Sequence, residues 1–143
     1  MGSGKEAKQS SKFVVNTLNN LLAKGFEEDD VVNLINSELN LNKEDEMYAS
    51  VDMSVFDLYS GTLSLMKNGA CNTYIKTNKK VNIYPSDGMP IGIVNDINLS
   101  RNTIELNEGD IVLMCSDGLL EVQDEIKKDW IADFLKNVNT NNI

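Results

Sequence analysis

Asp117 is the residue of this chain best placed to do chemistry. The segment Gly109-Asp110-Ile111-Val112-Leu113-Met114-Cys115-Ser116-Asp117-Gly118 runs a short apolar strand straight into an Asp-Gly pair. Ile111 to Cys115 is the kind of run expected of a strand covered on both faces. A carboxylate at the edge of such a strand is costly unless it is paired or bound to a metal. Two readings follow: a metal ligand carried on a rigid strand end, or a turn aspartate bonding its own backbone. Gly118 would let the backbone turn sharply after either. A second stretch, Gly2-Ser3-Gly4-Lys5, invites a phosphate-loop reading and fails it. Glu6 follows the lysine where Ser or Thr is required, no strand precedes it, and the spacing from an earlier glycine is absent. Gly2 and Gly4 keep a weaker role, as a helix start lying near a phosphate.

Composition narrows the chemistry further. The 143 residues contain no histidine, which removes Ser-His-Asp and Cys-His catalysis and His-ligated zinc. Hydrolysis here must rest on carboxylates, lysines or a metal. The net charge of −9 makes nucleic acid and anionic membrane poor partners, and it suits an acidic site that collects divalent cations. Cys71 and Cys115 are far apart in sequence and lack metal-ligand spacing, so free thiols are expected, with Cys115 a small core residue. No apolar stretch approaches about 18 residues, so no transmembrane helix is expected. Met1-Gly2-Ser3-Gly4-Lys5 leads into a polar helix, so no signal peptide is expected either.

The elements that would position Asp117 follow from hydrophobic period. Phe13, Val14, Leu18, Leu21 and Leu22 recur at helical spacing over residues 5–24, stopped by Gly25. Glu27 to Asp30 open a second helix with its stripe on Val31, Leu34, Ile35 and Leu39. The two helices, over residues 5–40, read as an antiparallel pair. From Met47 the period changes to two, with Met47, Ala49, Val51, Met53 and Val55 on one face and Tyr48, Ser50, Asp52 and Ser54 on the other. Asp57-Leu58-Tyr59-Ser60-Gly61 turns into a strand from Thr62 to Lys67, with Leu63 and Leu65 on one face. Strands follow at Thr73 to Lys76, Val81 to Tyr84 and Arg101 to Leu106, the first ending in a hairpin turn at Thr77-Asn78-Lys79. A last amphipathic helix, over about 127–138, carries Trp130, Ile131, Phe134, Leu135 and Val138. Helices, then strands over 47–116 with no helices between them, then a helix make the class α+β, a single domain with helices layered on antiparallel sheet.

Several short segments in succession then carry a resemblance. They are Met1-Gly2-Ser3-Gly4-Lys5-Glu6-Ala7, Met47-Tyr48-Ala49-Ser50-Val51-Asp52-Met53, Asp57-Leu58-Tyr59-Ser60-Gly61, Lys67-Asn68-Gly69-Ala70, Met89-Pro90-Ile91-Gly92-Ile93 and Ser116-Asp117-Gly118. Their order resembles the C-terminal phosphatase domain of the stage II sporulation protein E family, metal-dependent serine/threonine phosphatases of the PP2C type. Gly69-Ala70, where related stress-response phosphatases carry Gly-His, favours the sporulation branch. The resemblance implies a two-layer β-sandwich flanked by helices, with manganese or magnesium ions held by aspartates at one end. It implies an in-line attack on phosphoserine by a water that two ions about 3.5–4 Å apart acidify. It matches Asp117 to one metal-binding aspartate. It further implies a small phosphorylated partner, an anti-sigma-factor antagonist, and a parent anchored in the membrane by a separate N-terminal region, with this domain facing the cytoplasm.

The same resemblance places two other metal-binding aspartates outside residues 1–143, one just before Met1 and one beyond Ile143. This polypeptide alone is therefore expected to have little or no phosphatase activity, and an incomplete sheet is expected to expose edges that could pair with a second copy. A non-catalytic interaction module and a general stress-response phosphatase stand as alternatives. Asp87-Gly88 reads as a turn, Asp52 as a solvated or hydrogen-bonded strand residue, and Glu44-Asp45-Glu46 as a charged loop.

Overall fold

A computed structural model of the protein describes residues 5–41, 48–78, 80–120 and 130–138. Helix α1 (Lys5–Leu22) and helix α2 (Glu28–Leu41) come first. Their junction is closed by Gly25 at φ 84°, with Gly25 N–H bonded to Leu22 O at 2.9 Å and Phe26 N–H to Leu21 O at 3.2 Å. This pair of bonds is a Schellman cap, which glycine adopts without the strain a Cβ would bring. Glu28, Asp29 and Asp30 fill the first turn of α2, and Glu28 and Asp29 also accept hydrogen bonds from Arg101.

Six strands follow: β1 (Val51–Asp57), β2 (Thr62–Asn68), β3 (Thr73–Thr77), β4 (Lys80–Tyr84), β5 (Ser100–Glu105) and β6 (Ile111–Met114). They form two antiparallel three-stranded sheets, ordered β1-β2-β5 and β4-β3-β6. Helix α3 (Asp117–Leu120) and helix α4 (Trp130–Asn137) complete the described elements. Among the described residues no helix is long and apolar enough to cross a membrane.

The period-two alternation of β2 and β3 sorts the core into three slabs. Met66 packs with Val51 of β1 against Val14, Val31, Val32, Ile35 and Leu39 of the helical pair. Leu63 and Leu65 point the other way and meet Ile75 of β3, with Ile104 and Val112 beside them. Tyr74, on the opposite face of β3 from Ile75, packs on Ile131, Ala132 and Leu135 of α4 together with Ile111 and Leu113 of β6. The layers therefore run helices, sheet, sheet, helix. This is the flanked two-layer sandwich that the resemblance implied, and β6 packs against apolar clusters on both faces.

The structure corrects the helix stripes. Leu34 is 52% exposed and Phe134 is 59% exposed, although both sit in apolar runs. At 3.6 residues per turn Leu34 lies about 115° from the centre of the face formed by Val31, Val32, Ile35 and Leu39. Phe134 is displaced in the same way from Ile131, Ala132 and Leu135. On β1 the alternation fades beyond Met53: Val55 and Phe56 are both exposed, because β1 is a sheet edge. Strand β6 stops at Met114, one residue before the expected end. Asn78 takes φ 53° in the β3–β4 hairpin, and Lys79 lies outside the described residues. So do Met47, the Glu44-Asp45-Glu46 run and residues 127–129 of the expected last helix.

Candidate metal centre

Asp117 lies three residues after Met114, the last residue of β6, and opens α3. Its Oδ1 accepts the Gly118 N–H at 2.9 Å, and the side chain is half-buried. The turn-type backbone contact is thus present, and it engages one of the two carboxylate oxygens. What fixes the carboxylate is the strand behind it. Strand β6 pairs with β3 in the register Thr73↔Met114, Tyr74↔Leu113 and Ile75↔Val112. Gly118 is helical, and a Cβ there would meet only Ser116 Oγ at 3.9 Å, so its own backbone does not demand glycine. Gly2 and Gly4 lie outside the described residues.

At the end of the sandwich where Asp117 emerges, the interior changes from apolar to polar. The inner face of β2 reads Leu63, Leu65, Lys67, and that of β3 reads Ile75, Thr73. Lys67 is fully buried. Its ammonium donates to Asp52 Oδ1 at 2.6 Å and to Thr73 Oγ1 at 2.8 Å. Asp52 sits directly opposite Lys67 across the β1–β2 pair and is 21% exposed. Asp52 is accordingly the hydrogen-bonded strand residue its position suggested, with a partner the sequence reading did not name. Lys67 and Thr73 were missed altogether. The available signal was the alternation itself, which puts Lys67 on the same face as Leu63 and Leu65.

Two thiols border this cluster. Burial pushes the Cys71 thiol above its ordinary value, followed by Cys115 and Asp117, while Lys67 pulls it back. Cys115 is raised by burial and then by Asp52, again opposed by Lys67. Both cysteines are free, as expected. Asp52, Lys67, Cys71, Cys115 and Asp117 therefore lie within electrostatic reach at one end of the fold.

The connection between the sheets is held from the other side. Asn68 Nδ2 donates to Met89 O at 3.2 Å and Asn98 O at 3.1 Å. Gly69 N–H bonds Gly88 O at 2.7 Å, and Ala70 N–H bonds Ser86 Oγ at 3.2 Å. Asp87 stands exposed in this pinned loop, next to a glycine whose Cβ would fall 2.3 Å from Asn68 Nδ2. That close approach explains Gly88 without a ligand role. Among the described residues no group of three His, Cys, Asp or Glu side chains could hold a metal ion. Asp117 suits a hard divalent cation as one oxygen donor, but a complete ion shell needs ligands beyond the described residues.

The geometry can be set beside known proteins. The stage II sporulation protein E family model matches residues 1–142. Stage II sporulation protein E of Bacillus subtilis (strain 168) is 30% identical over 143 residues, covering 99% of this chain and 17% of that protein. The chain thus spans less than a fifth of that relative's length. A solved structure of the PP2C phosphatase domain with a fragment of the regulatory domain of the cell fate determinant SpoIIE from Bacillus subtilis superposes with TM-score 0.85. It is 30% identical and covers 99% of this chain and 41% of that one. The manganese-presoaked phosphatase domain of the same determinant matches with TM-score 0.58 at 25% identity, covering 99% of this chain and 60% of that one. A family match over all but the last residue, joined to the same layered sandwich, places the chain in the stage II sporulation protein E family.

Proposed function

We propose that this chain is part of a metal-dependent protein phosphatase acting on phosphoserine or phosphothreonine, with Asp117 a ligand to manganese or magnesium. The observation that carries this reading is the placement of Asp117, a half-buried carboxylate just beyond a strand that packs against apolar clusters on both faces. Family membership and the likeness to PP2C phosphatase domains support it. Bound divalent ions would supply an acidified water for attack at phosphorus. The residues of this chain contribute position. The β3–β6 register sets where Asp117 emerges, and the apolar clusters on both faces of β6 keep that strand from shifting.

The substrate in this reading is a small phosphorylated regulatory protein, an anti-sigma-factor antagonist. The parent is membrane-anchored, with this domain on the cytoplasmic side. The polypeptide of residues 1–143 is inactive by itself in this reading, which assigns it Asp117 as metal ligand, since one carboxylate plus waters holds magnesium weakly. A second reading, a non-catalytic interaction module, draws on the lack of a three-ligand cluster among the described residues.

Manganese-dependent release of phosphate from a phosphoserine protein decides between the two. The full-length protein carrying this chain is compared with residues 1–143 alone and with full-length Asp117→Asn. Turnover by the full-length protein alone, lost in Asp117→Asn, is the expected result. Absence of both turnover and calorimetric manganese binding in the full-length protein would leave the interaction module.

A further inference from the structure

We infer that Lys67 is a positioning residue for the metal centre, fixing the strand end from which Asp117 departs. The inference rests on the reading of Asp117 as a metal ligand. Lys67 belongs to one sheet and its hydrogen-bond partner Thr73 to the other. Thr73 is the first residue of β3 and is fully buried. It pairs across the sheet with Met114, the last residue of β6. The Lys67–Thr73 bond therefore ties the two sheets together three residues before Asp117. Beside it, Tyr84, which pairs with Thr73 on β4, packs against the interior cluster of Leu63, Leu65 and Ile75, and the Lys67–Thr73 bond adds a directional polar tie at that level.

The buried ammonium is tolerated because Asp52 matches its charge at 2.6 Å. That pairing also gives the idea a sign. Lys67 and Asp52 together bring no net charge to the centre, so the contribution of Lys67 is geometric. Replacing Lys67 with methionine keeps the unbranched chain short only of its terminal ammonium, and removes a positive charge from the end of the molecule where Asp117 emerges. If charge alone mattered, manganese would bind more tightly to Lys67→Met. If Lys67 positions Asp117, manganese binds more weakly.

A lysine in β3, the strand of Thr73, supplies the control. Lys76 is almost fully buried in β3, but its Nζ donates to the Lys136 and Val138 carbonyls at the end of α4. Lys76→Met therefore makes a comparable lesion on the outer face of the sheet that holds Thr73, away from the Lys67–Asp52 pair.

The test is calorimetric titration of manganese into the full-length protein and its variants, with circular dichroism to confirm folding. Lys67→Met is expected to weaken binding about 10–100-fold, the usual effect of removing a group that supports a metal ligand. Thr73→Val, which removes only the inter-sheet bond, weakens it less but in the same direction. Lys76→Met lowers the melting temperature and leaves manganese affinity within about twofold, the scatter expected of distant and independent sites. Should Lys67→Met fail to fold, Thr73→Val decides the question. Unchanged or tighter binding in Lys67→Met or Thr73→Val overturns the inference, as does equal weakening in Lys76→Met. Wild-type protein that binds no manganese, or Asp117→Asn that binds it normally, overturns the ligand reading instead and takes this inference with it.

Discussion

Asn36→Ala removes the contact that holds α2 to the loop beyond Ile91, and its cost can be worked bond by bond. Asn36 is 1% exposed. Its Nδ2 donates to Val94 O at 2.9 Å and Asn95 O at 2.8 Å, and its Oδ1 accepts from Gly92 N–H at 2.8 Å. The three partners do not suffer equally. Val94 O keeps a bond from Asn40 Nδ2 at 3.0 Å, and Asn95 is exposed, so water can replace the donor there. Gly92 N–H is half-buried and loses its acceptor, a penalty of about 1–3 kcal/mol. Adding about 0.5–1 kcal/mol for each of the two weakened carbonyl bonds brings the total to about 3 kcal/mol. With a urea slope of about 2 kcal/mol per M, the unfolding midpoint falls by about 1.5 M. Asn40→Ala is the control, because it removes bonds to Val94 O and to the helical Asn36 O at 2.9 Å while orphaning no amide. Its shift is about 0.5 M. Asn36→Leu restores volume without polar atoms and should recover little. Equal midpoints for Asn36→Ala and Asn40→Ala by equilibrium circular dichroism, or full recovery in Asn36→Leu, would refute the reasoning.

Asp52→Asn leaves the buried Lys67 ammonium beside a neutral amide. Because Asp52 is 21% exposed, the loss is discounted from the value for a fully buried pair to about 2–3 kcal/mol, or about 5–10 °C in melting temperature; a change under about 2 °C would contradict it. Gly69 combines φ 67° with a Cβ position 2.5 Å from Pro90 Cγ, whereas Gly25 has φ 84° and open space. Thermal denaturation should rank Gly69→Ala above Gly25→Ala, at about 2 kcal/mol or more against about 1 kcal/mol. The Tyr59 amide, then the Ser60 hydroxyl and amide, hold the Asp57 carboxyl below its usual 3.8. A carboxyl depressed on folding stabilises above its unfolded value and loses that contribution as pH falls through the folded one. Asp57→Asn should therefore flatten the acid limb of a melting-temperature profile below about pH 4, and an identical limb would exclude the contact. Burial, then Cys115 and Asp117, raise the Cys71 thiol above 9.0. Its neutral form stabilises below that value and the contribution fades as pH rises through the folded one, so Cys71 should react with a thiol reagent at pH 8 more slowly than a peptide thiol.

How much of this was readable in the sequence depends on whether a feature is local. The order of elements was, because two periods, a glycine stop and a run of five apolar or small residues are local signals. The burial of Leu63 and Leu65 on one face and the double cover of β6 followed from them. The exposure of Leu34 and Phe134 did not, since an apolar run shows that a helix has a face without showing how wide it is. The place of Asp117 just beyond a core strand was legible because the apolar run and the glycine after it are local signals. Lys67 was not, because a lysine next to an Asn-Gly looks like the solvated start of a turn. Its burial depends on Asp52 lying opposite in the β1–β2 register and on Thr73 reaching it from the second sheet.

That dependence on register explains why the polar cluster sits at one end of the sandwich. Strand β2 ends at Asn68 and β3 begins at Thr73, so the chain crosses from one sheet to the other within four residues. A crossing so short cannot be buried in apolar side chains, because its amides need acceptors, and Gly88 O and Ser86 Oγ provide two. Strand β3 starts at this end, and its antiparallel partner β6 finishes there. The end of the fold that must be polar to make the crossing is thus the end at which Asp117 emerges. A slip of one residue between β3 and β6 would turn every side chain of the slipped strand to the other face. Were β3 the strand that slipped, Thr73 would leave Lys67 and the buried ammonium would have one partner fewer. The Lys67–Thr73 bond thus fixes β3 against β2, and the β3–β6 register carries that placement on to Met114, three residues before Asp117.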